Sequence, residues 1–336
     1  MKSRTSSERQ LHRRVCRFDP DAKRCARRRP LSLRPVVTPL EEAPPELAAG
    51  RPLLLKREDL HELGAFKWRR ALPALREHRG RGADAVVTAS TGNHGAATAW
   101  AAARLGMRAV VFVPEDVSGA KADLLGALSA ELRPEGADLD QAKELARAHA
   151  AERRLPFFED GAEPAQFRGY AAIGRELLDQ LGEPPGAVVV PIGNGALMIG
   201  VARELRERSP GTARVGVVAK EAPVMALSIE AGHPVECHRC ATFADGMAVR
   251  VAVPLAVREL TALDLRLVTV SERALARAVG AFARAGVRVE GSAAAPLAAL
   301  GELDARGRPL VLLVTGRNID DELHRRAVER PESFPA

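Results

Sequence analysis

The sequence predicts an α/β fold built on parallel β-sheets. From residue 52 onward, short apolar runs rich in β-branched residues alternate with longer segments rich in Ala, Leu and Arg. The short runs are apolar on both faces, as buried parallel strands are, and the longer segments repeat apolar residues every three or four positions, as helices do. The short connections between them favour right-handed strand–helix–strand units.

Each predicted element follows from a run of this kind. The predicted strands are Leu53–Lys56, Ala85–Thr88, Ala109–Val113, Ala187–Val190, Val215–Val218, Leu265–Val270 and Leu310–Val314. The predicted helices are Lys67–His78, Ala96–Leu105, Asp138–Arg153, Phe167–Leu181, Leu197–Arg208, Glu272–Ala285 and Ala293–Ala305. Ser271 is predicted to cap the helix that follows it, because a serine hydroxyl can accept a hydrogen bond from the first helical turn.

The charge is distributed unevenly. The 336 residues carry a net charge of +7, but residues 1–34 alone contain 12 Lys/Arg and 3 Asp/Glu, so the remainder is close to neutral. We interpret residues 1–34 as a basic, flexible extension, with an organelle address or a weak polyanion contact as alternatives. Aromatic residues make up only 4% of the chain and do not alternate with basic ones, which argues against nucleic-acid binding. Neither a membrane span nor a secretory signal is visible, so we expect a cytoplasmic protein without a membrane partner.

The four cysteines give a weak metal signal. Cys16 and Cys25 lie in the basic extension, and Cys237 and Cys240 form one tight pair. Four thiols can hold zinc, but only one pair has the usual spacing. We expect reduced thiols in a cytoplasmic protein, with a structural metal or a redox pair as the alternatives.

Three polar, glycine-containing segments directly follow predicted strands. They are Thr88–Gly95 (TASTGNHG), Pro191–Leu197 (PIGNGAL) and Val314–Asn318 (VTGRN). In parallel sheets, ligands bind at the carboxyl ends of strands, where a loop leads into a helix. Hydroxyl, amide and backbone N–H groups there suit a carboxylate or a phosphate. Each segment alone is equally compatible with a strand-to-helix turn.

One lysine stands in an unusual setting. The chain has seven lysines against 43 arginines, and Lys67 lies between Phe66 and Trp68 at a predicted helix start. A helix N-terminus and apolar neighbours both disfavour an ammonium ion, so Lys67 is a candidate nucleophilic amine. The alternative is a surface lysine whose stem packs on the two aromatic rings.

In their order, these segments resemble the fold type II pyridoxal-phosphate enzymes, and most of all the serine/threonine dehydratases. The resemblance runs from about Thr38 to Asp320. Its motifs are Leu55–Leu60, Gly64–Lys67, Ser90–His94, Gly193–Leu197, Phe243–Val249, Val289–Ala294 and Thr315–Asn318. It implies two parallel-sheet three-layer domains. Residues 35–88 and 165–330 would form a large cofactor-binding domain, with a small mobile domain, residues 89–164, inserted in it.

The resemblance also implies roles for individual residues. Lys67 would hold pyridoxal 5'-phosphate covalently and move the substrate Cα proton, with Thr91 as the second catalytic candidate. The cofactor would be bound by Lys67, Phe66, Asn93, Gly193, Asn194, Gly195, Ala196, Leu197, Gly246, Glu290 and Thr315. The substrate would be bound by Ser90, Thr91, Gly92 and His94, largely through backbone groups. Within this set Asn93 would bind the ring hydroxyl, residues 193–197 the phosphate and Thr315 the pyridine nitrogen.

The hydroxyl of Thr315 carries a mechanistic implication. A hydroxyl, unlike a carboxylate, does not keep the pyridine nitrogen protonated, so the ring withdraws electrons less strongly. Loss of a β-substituent then relieves the carbanion. We therefore predict dehydration or deamination of a hydroxy-amino acid such as threonine or serine, yielding a 2-oxo acid and ammonia.

Several positions depart from the pattern of the family. Thr91 stands where relatives often have serine, which disfavours racemisation. Asn194 and Ala196 interrupt a loop that is usually four glycines, so the phosphate geometry should differ. Ala219 replaces a glutamate that helps to hold a cation, so we predict no metal there. Arg317 replaces a common glycine and is predicted to face the substrate or the phosphate.

Two other functions are compatible with the same residues. The first is a pyridoxal-phosphate synthase that performs β- or γ-replacement, as cysteine and threonine synthases do. The second is a non-catalytic relative that binds polyanions through its basic extension. A homodimer is expected from the family alone.

Overall fold

The computed structural model describes residues 36–237, 240–303 and 307–336, so the predicted basic extension, Cys16 and Cys25 lie outside the described residues. The elements are β1 (Leu40–Glu42), α1 (Pro45–Ala48), β2 (Leu53–Arg57), α2 (Trp68–Gly80), β3 (Ala85–Ala89), α3 (Asn93–Leu105), β4 (Arg108–Val113), α4 (Gly119–Ala127), β5 (Glu131–Pro134), α5 (Leu139–Arg153), α6 (Pro164–Leu181), β6 (Ala187–Pro191), α7 (Ala196–Arg208), β7 (Ala213–Ala219), α8 (Val224–Ala231), α9 (Pro254–Thr261), β8 (Arg266–Val270), α10 (Glu272–Arg284), α11 (Gly291–Ala298), β9 (Leu310–Val314) and α12 (Asp321–Glu329).

In the described part of the chain, the strands form two sheets. The larger has the order β1-β2-β9-β6-β7-β8, and the smaller has the order β3-β4-β5. Every pairing is parallel except that of β1 with β2, which is antiparallel. The carboxyl ends of the parallel strands in each sheet therefore share one edge, which is where the polar segments begin.

The larger sheet is covered on both faces. Val188, Val190 and Leu313 pack with helices α6 and α7, whereas Val189 and Leu312 pack with α10 and α11. This alternation within continuous apolar runs is that of strands buried between two helical layers. The smaller sheet is likewise covered by α2 and α3 on one face and by α5 on the other. The predicted parallel, three-layer α/β architecture is confirmed.

All seven predicted strands are confirmed, within two residues at each end. The edge strands β1 and β5 were not predicted, because three or four residues give too short a pattern to recognise. The prediction of a helix over Ala293–Ala305 was wrong in extent. Helix α11 begins at Gly291 and ends at Ala298, and a single 3-10 turn containing the poor helix former Gly301 follows it.

Three smaller expectations also meet the structure. Ser271 Oγ accepts from the Ala274 amide at 3.3 Å, so the predicted helix cap is confirmed. Cys237 and Cys240 are free and partly buried, and the two residues between them lie outside the described residues. No helix of the described residues is long and apolar enough to cross a membrane.

Candidate active site

The three polar segments lie where the sequence predicts them. The first follows β3 and opens helix α3 at Asn93, and the second follows β6 and opens α7 at Ala196. The third follows β9, next to the loop that leads into α2. Lys67 immediately precedes α2, so its backbone is fixed by the first turn of a helix, where the Ala71 amide donates to its carbonyl.

The lysine loop is tied to the segment after β9. The Phe66 amide donates to the Thr315 carbonyl at 3.0 Å, and the Arg317 amide donates to the Gly64 carbonyl at 2.9 Å. Gly64 has a φ of 64°, a conformation that favours glycine. These contacts place Lys67 beside Thr315, although 248 positions separate them in the sequence.

Asn93 is held by two side chains. Its Nδ2 donates to Glu290 Oε2 at 3.0 Å, and its Oδ1 accepts from Asn318 Nδ2 at 2.7 Å. Glu290 is buried, and its own amide donates to the Gly316 carbonyl. Burial raises the pKa of Glu290 to about 7, against the opposing effects of the Asn93 hydrogen bond and the Lys67 charge. The sequence did not predict a role for Asn318.

The second glycine loop meets the segment around Gly246. A Cβ placed on Gly193 would lie 2.1 Å from the Gly246 carbonyl oxygen, so only glycine allows this approach. At the first turn of α7, the Ala196 amide donates to Asn194 Oδ1 at 3.1 Å. The asparagine of this loop therefore occupies one backbone amide at the helix N-terminus. A loop of glycines alone has no side chain that could do so.

A carboxylate that sequence analysis missed contacts Lys67. Asp160 Oδ2 accepts from Lys67 Nζ at 2.6 Å and lies 3.1 Å from an amino group of Arg70. Burial favours the neutral acid, but the positive charges of Arg70 and Lys67 prevail and hold the pKa of Asp160 well below its usual range. The available signal was the acidic pair after Phe157 and Phe158, a stretch that adds to β3 by a parallel bridge and a backbone hydrogen bond.

Arg70 connects Asp160 to the first polar segment. Its guanidinium is fully buried and bonds Gln166 Oε1 at 3.0 Å and the Nδ1 atom of His94. Because arginine always donates, His94 Nδ1 accepts and the ring proton lies on Nε2, which faces Thr88 Oγ1 at 2.8 Å and the Phe158 carbonyl. Burial and the Arg70 charge lower the pKa of His94 to about 3, so this ring is neutral.

The predicted substrate residues lie together at the start of α3. Ser90 and Thr91 are partly buried, Gly92 is exposed, and the Gly92 amide donates to Ser90 Oγ at 3.2 Å. The His94 ring is committed to buried partners, so any contact of His94 with a substrate would use its backbone. The Arg317 guanidinium donates to the Asp59 carbonyl at 2.7 Å, so part of its hydrogen-bonding capacity is used within the protein.

The residues present fit pyridoxal phosphate. The hydroxyls of Thr315 and Ser292 are buried and have no hydrogen-bond partner among the described residues. A buried hydroxyl without a partner is costly, and a pyridine nitrogen would satisfy that of Thr315. The N-terminus of the 13-residue helix α7 suits a phosphate, and Lys67 supplies the amine that links to an aldehyde.

The parallel three-layer architecture and the chemistry of these residues fit a pyridoxal-phosphate enzyme. Residues 31–316 match the family described as pyridoxal-phosphate dependent enzymes. The chain belongs to this family, which confirms the predicted cofactor and the predicted resemblance.

Individual relatives agree with this assignment. The chain is 34% identical to an L-threonine ammonia-lyase of Geobacter sulfurreducens over 84% of this chain and 71% of the relative. It is 32% identical to the biosynthetic L-threonine dehydratase of Pasteurella multocida over 64% of this chain, and the match spans 42% of that relative's length. Among solved structures, it is similar to the processed form of threonine deaminase isoform 2 from Solanum lycopersicum. That match has a TM-score of 0.82, 28% identity and 88% coverage of both chains.

Proposed function

We propose that this protein catalyses β-elimination from a hydroxy-amino acid such as threonine or serine, giving a 2-oxo acid and ammonia. The observation that carries the proposal is a continuous set of neighbouring residues that begins and ends beside Lys67. On one side, Lys67 pairs with Asp160, and the next residue, Gly161, packs against Asn194. Gly193, next to Asn194, lies against Gly246, which in turn approaches Ser292 and Glu290. On the other side, Glu290 lies against Gly316, and the Phe66 amide donates to the carbonyl of the adjacent Thr315. The closeness of the lysine, the proposed phosphate loop and the unpaired hydroxyl supports a single shared site. The similarity to an L-threonine ammonia-lyase supports the same reaction.

The chemistry divides between the cofactor and the chain. Bound pyridoxal phosphate supplies an electron sink for the pair released when the substrate Cα–H bond breaks. Lys67 Nζ would hold the cofactor in the absence of substrate and would accept that proton when substrate is bound. The buried, unpaired hydroxyl of Thr315 would bind the pyridine nitrogen without protonating it, which would favour departure of a β-substituent. Asn93, fixed by Glu290 and Asn318, presents an amide hydrogen toward the ring hydroxyl.

The substrate carboxylate would bind at the start of helix α3. The free amides of a helix N-terminus favour an anion, and residues 90–94 form that terminus together with the hydroxyls of Ser90 and Thr91. Thr91 remains the second catalytic candidate, on the face where a racemase needs an acid. Its hydroxyl is secondary and bulkier than that of the serine often found at this position, which favours elimination over racemisation.

Reconstitution with pyridoxal phosphate and a panel of amino acids tests this function. With either L-threonine or L-serine, ammonia and 2-oxo acid should form in a one-to-one ratio. Coupled assays measure both products. A new amino acid formed only in the presence of a thiol or another added nucleophile would instead identify a replacement synthase. A colourless protein that retards nucleic acid in a salt-dependent way would identify the polyanion-binding alternative.

The quaternary and domain organisation belong to the same proposal. We propose a homodimer in the cytoplasm, and a small domain, residues 89–164, that closes over the substrate and excludes water. Strands β4 and β5 of the smaller sheet lie within that range, whereas β3 (Ala85–Ala89) ends where the range begins. Light scattering measures the mass. Proteolysis with and without substrate tests closure, and cleavage that is the same in both conditions would argue against it.

A further inference from the structure

We propose that Asp160 is a positioning residue that holds the side chain of Lys67 whenever its nitrogen is not bonded to the cofactor. The inference rests on the proposed function, because Lys67 is free only while a substrate has displaced it. Lys67 Nζ donates to Asp160 Oδ2 at 2.6 Å. The same contact is available to the lysine after displacement, since both side chains remain partly open to the site, 17% and 23% exposed.

A second positive group keeps Asp160 ionised when Lys67 is bonded elsewhere. Arg70, which has no exposed side-chain surface, lies 3.1 Å from the same carboxylate oxygen. Arg70 is in turn fixed by Gln166, whose Oε1 accepts from it at 3.0 Å and also accepts from the Gly161 amide at 2.8 Å. The arginine and the loop of Asp160 therefore share one buried anchor. When Lys67 bonds to the cofactor, Asp160 keeps a permanent counter-charge and does not have to take up a proton.

This arrangement assigns a place to the proton that leaves the substrate. When the substrate Cα–H bond breaks, the bound cofactor would take up the electron pair, and the proton would form a new N–H bond on Lys67. The neutral amine thus becomes an ammonium ion. A carboxylate at 2.6 Å stabilises that ammonium by a charge-assisted hydrogen bond, and it also restricts a flexible four-carbon stem to one direction. Asp160 acts through Lys67.

The variant Asp160→Asn removes the charge but keeps the size of the side chain. We expect kcat to fall roughly 10- to 100-fold, the factor that loss of one charged hydrogen bond produces, with KM within about threefold of the wild type. Exchange of the Cα hydrogen of alanine in deuterated water should fall by the same factor, as measured by NMR. Alanine has no β-leaving group, so this exchange reports proton transfer separately from elimination. The affinity for pyridoxal phosphate, measured by absorbance titration, should stay within about threefold.

The neighbouring residue provides a matched control. Glu159 lies in the same loop, but its carboxylate pairs outward with Lys143 and Arg147. Glu159→Gln loses the same charge one residue away and should leave kcat, KM, hydrogen exchange and cofactor affinity unchanged. An equal loss in this control would mean that loop stability, and not the contact with Lys67, is responsible, which would overturn the proposal.

Asp160→Glu protects the test against misfolding, because it leaves Arg70 a counter-ion. Its carboxylate is displaced by one methylene, so we expect alanine exchange several-fold slower than in the wild type, with KM unchanged. A raised KM with unchanged exchange, in either variant, would show that Asp160 binds substrate and would overturn the proposal. Wild-type exchange in both variants would overturn it too. If the wild-type protein exchanges alanine hydrogen but eliminates nothing from any substrate, the proposed function fails while the role of Asp160 is still measured.

Discussion

Two lysine–carboxylate clusters lie beside helix α2, and they differ in how completely each lysine is satisfied. In the first, Lys56 donates to the Thr38 carbonyl, Glu176 Oε2 and Gln180 Oε1 at 2.7, 3.0 and 2.9 Å. All three ammonium hydrogens are used, and the side chain is fully buried. Burial lowers the pKa of Lys56, against the opposing attraction of Glu176. This cluster ties β1 and β2 to α6.

In the second cluster the lysine is left incomplete. Among the described residues Lys67 Nζ has a single hydrogen-bond partner, Asp160, and its side chain is partly open. The consecutive residues Arg69 and Arg70 serve the two clusters separately, because side chains one position apart on a helix point about 100° away from each other. A buried lysine with all three ammonium hydrogens bonded stabilises the fold, whereas Lys67 is partly exposed and keeps hydrogen-bonding capacity for another group.

The largest effect that would test this comparison is expected from Lys67→Ala. Both the borohydride-trapped adduct of pyridoxal phosphate at residue 67 and the formation of 2-oxo acid should disappear, the latter on the order of 10³-fold or more. Asp160 keeps Arg70 as a partner, so thermal stability should change little. Mass spectrometry of the peptide that contains position 67 measures the adduct. An adduct on another lysine with retained activity would contradict the assignment.

Lys56→Met should show the opposite pattern. Removing one partner of a buried ion pair should lower the free energy of unfolding by about 3 kcal/mol, as measured by urea denaturation. The folded protein should still link pyridoxal phosphate at Lys67. Lys143→Met is the matched control, because Lys143 pairs with Glu159 at the surface and should matter by about 0.5 kcal/mol or less. Equal destabilisation by the two variants would contradict the conclusion that the buried Lys56 contributes more to stability than a surface lysine.

Glu290 sharpens the comparison through pH. Its folded pKa of about 7 is raised by burial, so its neutral form is favoured in the folded state. The contribution of Glu290 to stability is therefore fully present below its pKa in the unfolded chain, near 4.5. That contribution is lost as the pH rises through its folded pKa of about 7. Between pH 4.5 and 8, the free energy of unfolding of the cofactor-free protein should fall by roughly 2–4 kcal/mol more than that of Glu290→Gln. Denaturation of both proteins across this range measures the difference, and parallel pH profiles would refute it.

The smallest effect is expected at the phosphate loop. Asn194→Gly frees the Ala196 amide, which Asn194 Oδ1 occupies in this structure. Affinity for pyridoxal phosphate should then rise by a few-fold, about the value of one hydrogen bond, while affinity for unphosphorylated pyridoxal stays unchanged. Absorbance titration with both compounds tests this. An equal gain for pyridoxal would mean that the loop, and not the phosphate contact, had changed.

Much of the site could be predicted because its members lie in short, ordered motifs at the ends of apolar strands. Lys67, Asn93, residues 193–197 and Thr315 all carry a local signal, in which a buried strand stops and polar or glycine residues precede a helix. The parallel strands were predictable for the same reason, since burial on both faces forces a continuous apolar run. The short edge strand β1 and the helix ends had no comparable signal.

Sequence by itself therefore determined the fold class and the family, and it singled out the lysine that we propose links the cofactor. Only the tertiary structure decided which charges surround that lysine. Asp160 lies 93 positions from Lys67, and Asn318 lies 225 positions from Asn93, so neither contact leaves a local pattern. An ion pair depends on where the chain brings two groups together and on how water is excluded from them. A lysine that seals the fold and one that is free to react are therefore distinguished by packing.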